Sequence, residues 1–170
     1  MWLRLLIIFL LLAILGILQT SFLAHLNIMG VGPNLIFILY FLVFFFEEPQ
    51  KYIQGIFSAV VAGFFLDTFS PFYFGVSIIL LLIVNFILKY VLSLLKKTKN
   101  KYPIAYFTAL FILSFIIYNL MLTIVVYFLN SPRIMPVLKW IFLIEIVYNL
   151  IFALSVFYIY KKFKLYESSE

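Results

Sequence analysis

The chain has 170 residues, 67% of them hydrophobic and only 11% charged, with a mean hydropathy of +1.23. Soluble domains carry about 25% charged residues, so this composition lacks the polar surface to cover its apolar bulk in water and requires an integral membrane protein. The net charge of +6 comes from short basic clusters between apolar runs, too small for a phosphate-binding surface; no nucleic acid is expected, and the anionic cytoplasmic leaflet is the expected partner.

A spanning helix needs roughly 20 mainly apolar residues, so the length accommodates about six helices and no soluble domain. The first apolar run covers 5–23, led by Trp2 and Arg4 and closed by Gln19-Thr20-Ser21-Phe22-Leu23. The bulky residues after Ser21 make a poor cleavage site, so this segment reads as a retained helix. His25 and Asn27 then mark water or headgroups, and Gly30-Val31-Gly32-Pro33-Asn34 interrupts the pattern. The second segment, 30–46, reaches spanning length only if it begins near Ile28 or runs into Glu47-Glu48, with Pro33 suited to a first helical turn.

The third segment, 52–66, is also short, and this pair has the alternative of a re-entrant hairpin in protein-lined space. Asp67 ends it, and Ser70 before Pro71 resembles a helix start. The fourth, 74–95, contains Asn85 and Lys89, and the lysine-rich stretch from Lys96 to Lys101 follows. Pro103 opens the fifth, 104–129, and the sixth, 140–160, stops at Lys161-Lys162-Phe163-Lys164. The expected fold is all-α: one polytopic transmembrane helical bundle over 1–170, with six helices.

With both termini inside, the cytoplasmic segments hold Arg4, Lys51, Lys96, Lys97, Lys99, Lys101, Lys161, Lys162 and Lys164, and Lys89 snorkels to the same side. Of the 12 basic residues only Arg133 and Lys139 fall outside. This asymmetry is a positive-inside signal for an even number of crossings. Trp2, Tyr52, Tyr102, Trp140 and Tyr160 fall near predicted boundaries, as an aromatic belt requires.

Polar and small residues inside the spans are the candidate functional positions. Gly55, Ala59 and Gly63 recur every four residues, a smooth stripe for close helix packing or a partner, or glycine scattered as membrane spans allow. Asp67 is either a wetted interfacial acid or cap, or a fixed acceptor shaping the loop to Gly75 or receiving a partner's donor. Glu145 lies roughly 9 Å of helix rise beyond Lys139, with Asn149 one turn deeper on the same face. A carboxylate at that depth is a functional-site hypothesis: a polar clamp with Asn149, Arg133 or Lys139, a partner contact, or a ligand contact. Cysteine is absent and histidine occurs once, as His25. No zinc set, catalytic triad or phosphate-cradling loop is present in sequence, so no catalytic residue, metal or cofactor is assigned.

These landmarks, in their order and spacing, resemble the MreD family of bacterial rod shape-determining membrane proteins. The matching positions are Gln19-Thr20-Ser21-Phe22-Leu23 after the first helix, Gly32-Pro33-Asn34-Leu35 before the second, and Gly55 through Gly63-Phe64-Phe65-Leu66-Asp67-Thr68-Phe69-Ser70, with Gly75 shortly after. The match is densest in the first half; from Val76 onward it lies mainly in hydropathy. Pro71-Phe72-Tyr73-Phe74 occupies a stretch where the family often has additional small residues. The resemblance implies a non-enzymatic member of the lateral peptidoglycan-synthesis machinery in the bacterial cytoplasmic (inner) membrane. Its implied partners are an MreC-like protein, an MreB-like cytoskeleton, and a RodA-like glycosyltransferase with its transpeptidase. It also implies a fold similar to the substrate-binding subunits of energy-coupling-factor vitamin transporters, which supplies the rival function, a small-molecule importer subunit. Such subunits commonly carry small residues four apart on the first helix, whereas here Ala13 is followed four positions later by Ile17.

The topology has a direct test. Cysteines placed at Thr98 and Ser168 should resist a membrane-impermeant thiol reagent in intact cells, and one at Ser131 should react. Labelling of the Thr98 position from outside would overturn the assigned orientation.

Overall fold

Apolar runs this long can satisfy their backbone in lipid only as helices or closed barrels, and helices are what form. In a computed structural model, residues 2–21, 25, 31–47, 52–70, 73–94, 103–130 and 140–167 are described, without the side chains of 130, 140, 141 and 161–167. The helices are α1 (Trp2–Ser21), α2 (Leu35–Phe46), α3 (Ile53–Thr68), α4 (Val76–Leu94), α5 (Pro103–Asn130) and α6 (Trp140–Glu167). Four stretches are long and apolar enough to cross a membrane: Trp2–Ser21, Val76–Leu94, Pro103–Leu129 and Phe142–Tyr160. The chain is therefore an all-α, multi-pass membrane protein. The helices α2 and α3 are apolar but shorter.

The shortest helix is the centre of the bundle. Its 12 residues rise only about 18 Å, yet Ile36, Phe37, Tyr40 and Phe41 have no exposed surface at all. It packs against α1, α3 and α6, the Tyr40 hydroxyl donates to the Leu81 carbonyl of α4 at 3.2 Å, and its rings interlock with α5. Phe37 stands perpendicular to Phe115 with centroids 5.2 Å apart, and Phe41 meets Phe111 edge-on, also at 5.2 Å. Near its end Phe45 contacts Phe157 of α6. Lipid tails are as apolar as these side chains, so packing rather than the hydrophobic effect holds the helices together; edge-to-face pairs contribute about 0.5–1.5 kcal/mol each in soluble hosts.

Helices α3 and α4 pack backbone against backbone. A methyl group built on Gly63 would lie 2.4 Å from Ile78 Cα and 2.6 Å from its nitrogen, so glycine is what lets the two backbones touch. Ala59, one turn earlier, is fully buried. The opposite faces carry the bulk expected against lipid. Leu6, Leu10 and Ile14 of α1 and Leu143, Val147 and Ile151 of α6 are exposed.

Most helix ends lie within about three residues of the sequence expectation, and two boundaries differ by more. Helix α2 begins at Leu35, and residues 31–34 are not helical. Pro33 is buried ahead of the helix instead of occupying its first turn, because Asn34 takes the N-cap position and accepts from the Phe37 N–H. Helix α6 continues through the lysine cluster to Glu167. Lysine is a good helix former, and cations are favoured toward a helix C-terminus.

Gly63→Ala should lower the thermal midpoint in detergent by an amount corresponding to about 1–3 kcal/mol, the usual range for overpacking. Val60→Leu, on an exposed position of the same helix, should change it little. Gly16→Ala should fall between them, because its new methyl is crowded by the ring edge of Phe69, which can rotate, and meets Ile36 Cδ1 at an ordinary 3.6 Å. Equal tolerance of Gly63→Ala and Val60→Leu would contradict the backbone contact.

Candidate functional site

Buried polar side chains gather at the two ends of the central helices. At one end the chain leaves α1, enters α2, leaves α3 and enters α4. Every new helix exposes unpaired N–H groups, and no water is available inside lipid to satisfy them. Side chains do so instead. Around the start of α2, Asn149 Oδ1 accepts from the Asn34 N–H at 2.6 Å. Gln19 Oε1 accepts from Ile36 N–H at 3.4 Å and Asn34 Oδ1 from Phe37 N–H at 3.0 Å. Asn149 is fully buried, and its Nδ2 donates to the Glu145 backbone carbonyl at 2.9 Å. Three separate segments thus close one helix terminus.

The start of α4 is closed by a single carboxylate. Asp67 accepts from the Gly75 N–H through Oδ2 and from the Ser77 N–H through Oδ1, each at 2.8 Å. Gly75 has φ +97°, a left-handed conformation that suits glycine and turns the chain back toward Asp67. A carboxylate is disfavoured at the C-terminus of its own helix, α3, and favoured at the N-terminus of the next; two backbone donors decide the balance. Tyr118 of α5 extends the joint by donating to Ser77 Oγ at 3.2 Å.

The opposite end holds a buried ion pair. Glu47, which follows α2, accepts through Oε1 from the Gln54 and Gly55 N–H groups at 2.8 and 3.0 Å. Its Oε2 accepts from the Lys89 ammonium of α4 at 2.6 Å. That ammonium also lies over the rings of Phe44 and Tyr52, 5.3 and 5.0 Å from their centroids, a cation–π arrangement. The Glu47 side chain is 1% exposed and that of Lys89 12%. A pair this enclosed repays its desolvation only with good geometry and further hydrogen bonds, and the two backbone donors supply them.

The sequence-selected positions therefore divide among three places. Gln19, Asn34 and Asn149 meet at the start of α2, with Pro33 buried beside them. Asp67 and Gly75 meet at the start of α4. Gly63 and Ala59 lie on the buried side of α3, and Gly55 belongs to the Glu47 cluster. Lys89 does not simply reach for the membrane surface; it pairs with Glu47. Helix α4 begins at Val76, six positions beyond Ser70, and Asp67 closes its start. Glu145 is half-buried. Its side chain is not the partner of Asn149, which uses the backbone carbonyl, and among the described residues no hydrogen bond or ion pair reaches its carboxylate. It lies within electrostatic reach of the Tyr118 hydroxyl, as does Asp67. Arg133, Lys139 and Tyr102 fall outside the described residues.

The Glu47–Lys89 pair was not singled out from sequence. The available signal is Asn85 and Lys89 spaced four apart on one helix face, facing a carboxylate placed just after the preceding core helix. Among the described residues no group of three or more His, Cys, Asp or Glu side chains could hold a metal. Chemically these sites are side-chain acceptors engaged by backbone donors and by one ammonium, suited to holding helices in register. Comparison with protein-family models, curated proteins and solved structures finds no match for the chain.

Asp67→Asn, which keeps one acceptor oxygen and loses the other, should cost about 1–3 kcal/mol in detergent stability, the usual penalty for an unpaired buried group. Glu145→Leu should cost less than Asn149→Leu, because the Asn149 contact uses a carbonyl that the first substitution leaves in place. Chemical or thermal unfolding of the three variants checks both statements. A Glu145→Leu effect as large as that of Asn149→Leu would show that the carboxylate itself carries the joint.

Proposed function

We propose that this chain is a non-enzymatic membrane scaffold of the bacterial cell-elongation machinery, of the MreD type, residing in the cytoplasmic membrane with both termini inside. It presents lipid-facing helices and outer loops to a single-pass MreC-like partner, and through it to the MreB-like cytoskeleton and the RodA-like synthase pair. The observation that carries this reading is the use made of the motif residues. Gln19, Asn34, Asp67 and Gly75 are spent on backbone N–H groups or on the turn that presents them, so these motif residues maintain a shape. A shape-maintaining motif suits a protein whose task is to hold partners at fixed positions. The extensive exposed apolar faces of α1 and α6 offer area for another transmembrane helix beside ordinary lipid contact. A likeness to the substrate-binding subunits of vitamin transporters belongs to the same reading of the fold.

The test is complementation. Expressed at normal level in a rod-shaped bacterium lacking its own MreD protein, the chain should restore rods and retain an MreC-like partner through detergent purification. Failure of both, together with thermal stabilisation of the purified protein by a micromolar vitamin, would replace scaffolding with transport.

A further inference from the structure

Asn85 is 1% exposed, and among the described residues its Oδ1 has no hydrogen-bond partner. An unpaired buried acceptor costs about 1–3 kcal/mol, and a bound water or ion is one of the ways such a group is satisfied in folded proteins. The direction in which this oxygen points is informative. A methyl group built on Gly55 would lie 3.0 Å from Asn85 Oδ1 and 2.7 Å from Glu47 Oε2, so both oxygens crowd the same bare face of α3. The Lys89 ammonium, one helical turn beyond Asn85, is bound to that same Glu47 oxygen. Two acceptors and one ammonium therefore converge where α2, α3 and α4 meet.

The geometry points to a single water molecule bound at this meeting point, donating to Asn85 Oδ1 and Glu47 Oε2 and accepting from Lys89. Charge selects water over a metal cation. Glu47 and Lys89 already neutralise one another, and a further cation would leave a net positive charge in a buried site, where such charge is costly. A buried water typically makes about three hydrogen bonds, the number available here. Gly55 is required on this account because any side chain would occupy the approach to both oxygens. The water completes a junction of three helices whose ion pair would otherwise leave one acceptor unmatched, and it does so independently of the scaffold reading.

A high-resolution structure of the full chain in nanodiscs should show density within hydrogen-bonding distance of Asn85 Oδ1 and Glu47 Oε2. Asn85→Leu, close to isosteric and apolar, should lower Tm by several degrees, whereas an oxygen with no partner would make the same change neutral or stabilising. Exchanging sodium chloride for choline chloride should leave Tm unchanged. Absence of the density, or an amide group turned to donate directly to Glu47, would overturn the water. A Tm that rises specifically with sodium would assign the place to a cation and also overturn it.

Discussion

A 12-residue helix packed on every side by other helices cannot leave its backbone ends to water. That constraint on α2 organises the rest of the bundle. Its first-turn N–H groups at Ile36 and Phe37 are met by Gln19 from α1 and by its own cap Asn34, and the N–H of the cap itself by Asn149 from α6. At its other end Glu47 turns outward to cap α3 and to pair with α4. Helix α2 is thus fixed at both ends by polar groups from four other helices, while its flanks are held by aromatic interlock.

The two ends use different chemistry. Around Asn34 and Asp67 the contacts run from side-chain oxygens to backbone donors, without an opposing charge among the described partners. Around Glu47 the carboxylate adds a full ion pair with Lys89, flanked by aromatic faces. Removing one partner of such a pair leaves a buried charge and is usually more damaging than removing a neutral cap. The Glu47 end is accordingly the more sensitive to single substitutions, and the Asn34 end distributes its load over three side chains.

Most of the bundle was legible in sequence because hydropathy and length report lipid burial directly. The long segments later seen as α1, α4, α5 and α6 were placed within a few residues at most of their ends. The exceptions follow from what periodicity does not encode. The start of α2 moved to Leu35 because a cap and a proline, rather than an apolar run, set it. The end of α6 moved to Glu167 because helix continuation needs only good helix formers once the span is anchored. The polar joints were partly visible: Asp67 beside Gly75 and the isolated Asn149 stood out as polar groups in apolar surroundings. Glu47 and Lys89 were hidden, since each sits near a segment end where charge is ordinary, and their pairing depends on three-dimensional neighbours 42 positions apart.

The central claim is that side chains replace water at the buried start of α2. Hydrogen–deuterium exchange of the chain in nanodiscs tests it directly, read on the segment covering residues 31–40 in the wild type and in Asn149→Ala. The account predicts slow exchange of the Asn34 amide and the first-turn amides in the wild type and faster exchange at Asn34 in the variant, with the α4 amides unchanged. Equal, slow exchange of the Asn34 amide in both proteins would contradict it.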